Sequence, residues 1–179
     1  MKQFSLLIFL FSTILLRGQT ELSDSLIWKK AALLRAVELE NTFKIRDYKF
    51  YAQINHPKIV EMMGGSDAFA KTLEEQMKEI EKEVKMDSTD FGVPFNFVKC
   101  DSNVVNCILP QTIYIKLQDT LTMKSTVFLL GNSDDNGRTW YFLDASNGSE
   151  FLDAVVPKRC KILAIPDKKQ EFIRTNKKN

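Results

Sequence analysis

The stretch 93–130, VPFNFVKCDSNVVNCILPQTIYIKLQDTLTMKSTVFLL, decides the fold. Its apolar residues recur with a period of two. Val93, Phe95 and Phe97 alternate with Pro94, Asn96 and Val98, and Val105, Cys107, Leu109, Ile113, Ile115 and Leu117 share one parity, broken at Gln111. That is the period of a strand with one face buried. Pro110 has no N–H to donate to a ladder, so it marks an edge or a bulge. Residues 121–130 predict a third strand, apolar on both parities near its end, and 138–144 a fourth. The connections at 101–104, 118–120 and 132–137 are short, which makes consecutive strands antiparallel.

Upstream of this stretch the period becomes helical. Ser23 and Asp24 can cap a helix over 25–45, whose apolar positions include Leu26, Ile27, Leu33, Leu34, Val37 and Phe43. Arg46 and Asp47 break it, and DYKFYAQI reads as a second short helix. Pro57 opens a third that Gly64-Gly65 closes. Ser66 then caps the clearest helix, with Phe69, Leu73, Met77, Ile80 and Val84 as its apolar stripe. Glu74 with Lys78, and Glu81 with Lys85, are i,i+4 pairs on its polar side. Helices first and antiparallel strands afterwards predict an α+β fold, with N-terminal helices packed on a curved antiparallel sheet, over 20–156.

Residues 1–19, MKQFSLLIFLFSTILLRGQ, place Lys2 before 13 uncharged residues, 4–16. A membrane-spanning helix needs about 20 apolar residues. The stretch therefore reads as a secretory signal peptide cleaved near Gly18 or Gln19, the alternative being an uncleaved anchor. No Cys lies nearby to carry a lipid. The expectation is a secreted or periplasmic protein that does not span a membrane. The chain has 25 Lys+Arg against 23 Asp+Glu, and residues 157–179 alone hold eight bases against two acids. That segment reads as a solvated basic tail. No pattern of interleaved aromatics suggests base stacking, so a nucleic-acid partner is not expected.

The segments DYKFYAQINHPKIVEMMGGSDAFAKTLEEQM and SDDNGRTWYFLDAS resemble secreted bacterial members of the nuclear-transport-factor-2-like, or cystatin-like, superfamily. The resemblance covers about 26–146. It implies a strongly bent sheet forming a cone around a helix, with a pocket at the open end. The superfamily holds isomerases, dehydratases, cyclases and many non-catalytic domains, so the resemblance implies a fold more than a reaction. In such a cone the candidate ligand pocket is lined by Phe95, Phe97, Tyr114, Trp140 and Phe142, with Ile113, Ile115, Val127 and Leu129 beside them. The cone is expected either to take a small apolar ligand or to be filled by these side chains. The strand 121–130, apolar on both sides, wants cover on its outer face. A second subunit, giving a homodimer, is one candidate cover, and a folded-over C-terminal segment is the other.

Other motifs are weighed residue by residue. Ser133-x-Asp135-x-Gly137-x-Thr139-Trp140 matches the Asp-box turn, read here as a structural hairpin. Asn132, Asp134, Asn136 and Gly137 match the start of a calcium loop, but Leu143 stands where the bidentate Glu belongs. Asn147-Gly148-Ser149 fits a glycosylation sequon. A single His, no C-x-x-C spacing and no glycine-rich nucleotide loop lead us to expect neither a metal nor a cofactor. Cys100 and Cys107 flank a turn and are a candidate disulfide, the alternative being free thiols. No catalytic set is complete. The expected function is a non-catalytic small-ligand-binding or protein-interaction module. The alternative is a small lyase, isomerase or hydrolase using His56 as acid/base, with Asp144 as its partner.

Overall fold

The computed structural model describes residues 24–101 and 103–174. The signal-peptide expectation over 1–19 lies outside them. A long antiparallel hairpin of β3 (Val105–Gln118) and β4 (Leu121–Ser133) forms the spine. It runs in register from Val105 opposite Ser133 to Lys116 opposite Thr122, with a shift before Gln118. The hairpin is long enough to take two shorter strands along each edge. β1 (Lys85–Phe91) and β2 (Phe95–Lys99) share the outer edge of β3, and β5 (Tyr141–Asp144) and β6 (Lys169–Arg174) share that of β4. All pairings are antiparallel.

Pro110 sits where the neighbour of β3 changes from β2 to β1. Phe95 pairs with Ile108 and Phe91 with Gln111, so the missing N–H falls in the gap between the two strands. The Pro110 carbonyl still accepts from Gly92 N at 2.8 Å. A Cβ on Gly92 would lie 2.7 Å from Pro110 Cγ, so only glycine fits this close approach.

The helices are α1 (24–44), α2 (Tyr48–Ile54), α3 (Pro57–Met62), α4 (Ser66–Glu83) and α5 (Gly148–Val155). Asp47 caps α2 by accepting Phe50 N, and Gly65, not Ser66, is the N-cap of α4. Arg46, at φ 60, pairs with Glu81 and ties the turn after α1 to α4. Ala52, Val60 and Phe69 join α2, α3 and α4.

The architecture is α+β, with a curved six-stranded antiparallel sheet whose half nearest β2 and β5 is covered on both faces. On the first face Val105, Cys107, Leu109, Leu129, Trp140 and Phe142 pack against Ala32, Ala36 and Leu39 of α1. On the second Ile108, Leu130 and Leu143 pack against Leu152 and Val155 of α5 and Val156, Cys160 and Leu163 after it. This corrects one expectation. Residues 157–174 are not a solvated tail: Cys160 and Leu163 are each 6% exposed, and β6 is a strand of the sheet. At Phe128 and Leu130 the C-terminal segment, the second of the two expected covers, lies against β4.

Strand ends also shift. β2 starts at Phe95, β4 runs on to Ser133, and β5 starts only at Tyr141, because 134–139 forms the turn. α1 presents to the sheet Trp28, Ala32, Ala36 and Leu39, not its largest aliphatics. Leu26, Ile27, Leu33, Leu34 and Val37 lie on the opposite side, 41–64% exposed. No helix among the described residues is long and apolar enough to cross a membrane.

Candidate functional site

The expected lining residues do not form a single pocket wall. Trp140 is 1% exposed, meets Phe97 edge-on at 5.6 Å and donates from Nε1 to the Gly137 carbonyl at 2.9 Å. Phe142 lies over Gly131, where a Cβ would come within 2.9 Å of its ring and overlap Cys107 Sγ. These side chains, with Leu129, are packed core. Phe95 is on the other face, with Ile108 and Leu130. The cause is a bulge: the β2–β3 register shifts between Phe95 and Val98, and Asn96 takes φ 52. An extra residue in a strand sends its neighbours to opposite faces. Tyr114 is half-buried in the far half of β3, opposite Lys124 and Ser88 and remote from Trp140 in register.

The candidate disulfide is corrected too. Cys100 is bonded to Cys160, with Cα atoms 5.1 Å apart, and Cys107 is a free buried thiol. The expected pairing put Cys100 opposite Val105, but Lys99 holds that place. One residue of register moves a side chain to the other face. Cys100 therefore points to the second face, where the chain after α5 passes, and Cys107 to the first. Burial pushes the Cys107 thiol up, which removes it as a nucleophile. Fully buried Asn106 completes the clamp: its Oδ1 accepts Cys160 N at 2.7 Å, and its Nδ2 donates to Gly131 O at 3.2 Å and Asn132 Oδ1 at 2.9 Å. Asn132 thus belongs to a strand and is already engaged, so residues 132–137 do not form a calcium loop.

The Asp-box turn is built as its residues predict. Ser133 Oγ donates to Asp135 Oδ1 at 2.8 Å and accepts Gly137 N at 2.9 Å. Asp135 Oδ1 also accepts Arg138 N and Thr139 N at 3.0 and 2.8 Å. Burial raises the Asp135 pKa, but the bonds from Thr139, Ser133 and Arg138 outweigh it and hold the carboxyl low. Gly137, at φ 81, lies against Trp28, whose ring a Cβ would overlap. The turn joins the sheet to α1.

His56 borders a cleft that gathers residues of several elements. The cleft holds about 390 Å³ and is walled by His56, Asp101 and Asn103 of the β2–β3 turn, Asp134 of the Asp-box turn, Val155 at the end of α5, and Val156 and Lys158 after it. Asn136 N donates to Asn103 O at 2.7 Å and locks the two turns together. His56 is 8% exposed, with its ring edge-on to Tyr141 at 5.5 Å. It caps α3 through Nδ1, which accepts Lys58 N at 3.3 Å, so the neutral ring carries its proton on Nε2. Burial lowers its pKa; Asp134 opposes this and Lys58 adds to it. The imidazole is therefore neutral at pH 7.

Asp144 is not its partner. Asp144 Oδ1 accepts Ser146 N at 2.8 Å and caps the 3-10 turn Ala145–Asn147. The hydroxyl that feels Asp144 is that of Tyr51, pushed up to about 12 by burial first and by this carboxylate second. A larger cleft of about 520 Å³ between α2 and α4 is lined by Arg46, Glu74, Lys78 and Glu81. Its charges neutralise each other in the pairs Arg46–Glu81 and Glu74–Lys78. Among the described residues no group of three His, Cys, Asp or Glu side chains could hold a metal ion. No protein-family model, characterised protein or solved structure matches the chain.

Proposed function

We propose that the protein is an exported, non-catalytic module of the nuclear-transport-factor-2-like type that works through its surface. The observation that carries this reading is the filled sheet interior. Where a cone would hold a ligand, Trp140 and Phe142 are 1% and 6% exposed among Leu109, Leu129 and the alanines of α1. The order of short helices, a long helix and a bent antiparallel sheet supports the resemblance. Export is supported by the leader and by the Cys100–Cys160 bond, which persists in oxidising compartments.

The test is a thermal-shift screen of apolar compounds on the protein and on Phe142→Ala. No compound is expected to shift the wild type, and Phe142→Ala is expected to cost about 3–5 kcal/mol. A compound that bound inside would stabilise by about 2.7 kcal/mol at a hundred times its dissociation constant. Such a shift would overturn the reading. Intact mass checks export: the released protein begins near Gln19 or Thr20.

One observation favours the enzymatic alternative. His56 is a neutral imidazole in a cleft, the state a general base needs. Its carboxylate neighbour would be Asp134, not Asp144. That reading requires a turnover that His56→Asn abolishes, since Asn keeps the cap of α3.

A further inference from the structure

α1 has two apolar faces, and the sheet uses one. At about 100° per residue, Trp28, Ala32, Ala36 and Leu39 centre on the sheet, and Leu26, Ile27, Leu33, Leu34 and Val37 centre on the opposite side. The five outward side chains present roughly 500 Å² of apolar surface, an extent that marks interaction sites on monomers. Leu26-Ile27 and Leu33-Leu34 recur seven residues apart, with Val37 a turn beyond, which is the spacing of a two-helix seam.

The charges beside the stripe are graded along the helix. Lys29 flanks its first half and exposed Lys30 stands within it, between Leu26 and Leu34, while Glu38 and Glu40 flank its second half. Parallel copies would set like charges against like. Antiparallel copies with a two-fold axis near Leu34 would set Lys29 of each against Glu40 of the other on the flank they share, and bring Lys30, whose long side chain can leave the seam, within reach of Glu38 of the other. We propose that the protein pairs with a second copy of itself, antiparallel, through the outward face of α1. The proposal rests on the reading of the chain as a module that works through its surface. Glu38 and Glu40 now bond Arg35 and Lys44 of their own helix, and both pairs are solvent-exposed enough to share with a partner. Two such faces with their flanking charges reach the lower end of specific interfaces, about 1,200 Å² in total. The dimer is therefore reversible.

The experiment is sedimentation velocity on the full chain from low to high micromolar concentration, with the N-terminus read by intact mass. A reversible dimer is expected. Leu34→Glu should raise its dissociation constant more than about tenfold while leaving the melting of the dilute protein unchanged, because Leu34 is 58% exposed. Lys29→Glu with Lys30→Glu should weaken the dimer, and adding Glu38→Lys with Glu40→Lys in the same chain should restore it. Leu34→Cys should give a disulfide-linked dimer, since Cys100 and Cys160 are bonded and Cys107 is buried. A monomer at every concentration would overturn the proposal. So would a dimer indifferent to Leu34→Glu, which would assign pairing to another surface or to the apolar stretch 4–16. Either result leaves the filled interior untouched, and that reading falls only to a ligand found inside it.

Discussion

Breaking the Cys100–Cys160 bond tests how the C-terminal segment is held. The bond closes a loop of 60 residues that includes β3, β4, β5 and α5. Cross-linking a loop of that length removes unfolded-chain entropy equivalent to about 4 kcal/mol at 25 °C. The double variant Cys100→Ala, Cys160→Ala should therefore lose about that much. Urea melts followed by circular dichroism read it directly. With an urea slope of about 2 kcal/mol per molar, the midpoint should fall by about 2 M. Reduction of the wild type should give a similar loss. The pairing itself is checked by a tryptic map without reductant. Cleavage after Lys99 and Lys116 leaves Cys100 and Cys107 in one peptide, and cleavage after Arg159 and Lys161 isolates Cys160-Lys161. The two peptides should run as one linked species. A map in which Cys160 is free, or a loss under about 1 kcal/mol, would refute the argument that this bond closes the fold.

Three further outcomes follow from the packing. Gly137→Ala should cost at least about 2 kcal/mol more than Gly65→Ala in a thermal melt. Both glycines have positive φ, but only at Gly137 does a Cβ overlap a ring, that of Trp28. Stability should fall as pH drops below about 6.5. Burial lowers the His56 pKa in the fold, so the unfolded chain takes the proton first and is favoured until the folded pKa is passed. His56→Asn keeps the cap and should lack this component, as melts from pH 8 to 5 would show; equal pH slopes in the two proteins would contradict the burial argument. Ala36→Leu should cost about 1–3 kcal/mol by overpacking α1 on the sheet, whereas Leu34→Ser on the outer side should cost less than about 0.5 kcal/mol. Comparable losses at the two sites would mean that α1 faces the other way.

Local patterns were legible wherever one residue's neighbours decide its geometry. The period of two located β3, and β4 followed from its apolar residues and the short connection before it, because their hairpin turn at 119–120 is local and their facing ends are buried. The Asp-box turn was legible because Ser133, Asp135 and Gly137 bond within a single turn. The partner of Cys100 was not, because it depends on one residue of register. The same is true of Phe95 and Phe97, which alternate as a strand should and are split by a bulge at Asn96. β6 carried no apolar alternation, since all six of its residues are exposed and β4 supplies its bonds. Its basic residues read as a tail for that reason. α5 is eight residues long, and β1, KMDSTDF, has no hydrophobic period at all.

The candidate site was legible only in part, and the reason is volume. His56 was found because it is the only imidazole in the chain, and the structure gives it a cleft with Asp134 rather than the expected Asp144. For α1, hydropathy selects Leu26, Leu33, Leu34 and Val37, the largest apolar residues, as the packing face. Yet Trp140, Phe142 and Phe97 already occupy the space above the sheet. Midway along α1, where the helix lies close to them, small side chains fit, so Ala32 and Ala36, at 0% and 2% exposed, form the contact there, with Trp28 and Leu39 on either side. The aromatic interior that removes a ligand pocket from the sheet is thus the same feature that turns the large aliphatics of α1 outward. The half of the sheet that carries Leu109, Leu130 and Phe142 is covered on both faces from within, while the far half, with Leu117, Phe172 and Ile173 41–65% exposed, is not. Along a helix the exposed apolar surface is the outer side of α1, between Leu26 and Val37, and recognition by this protein is best sought there and at the His56 rim.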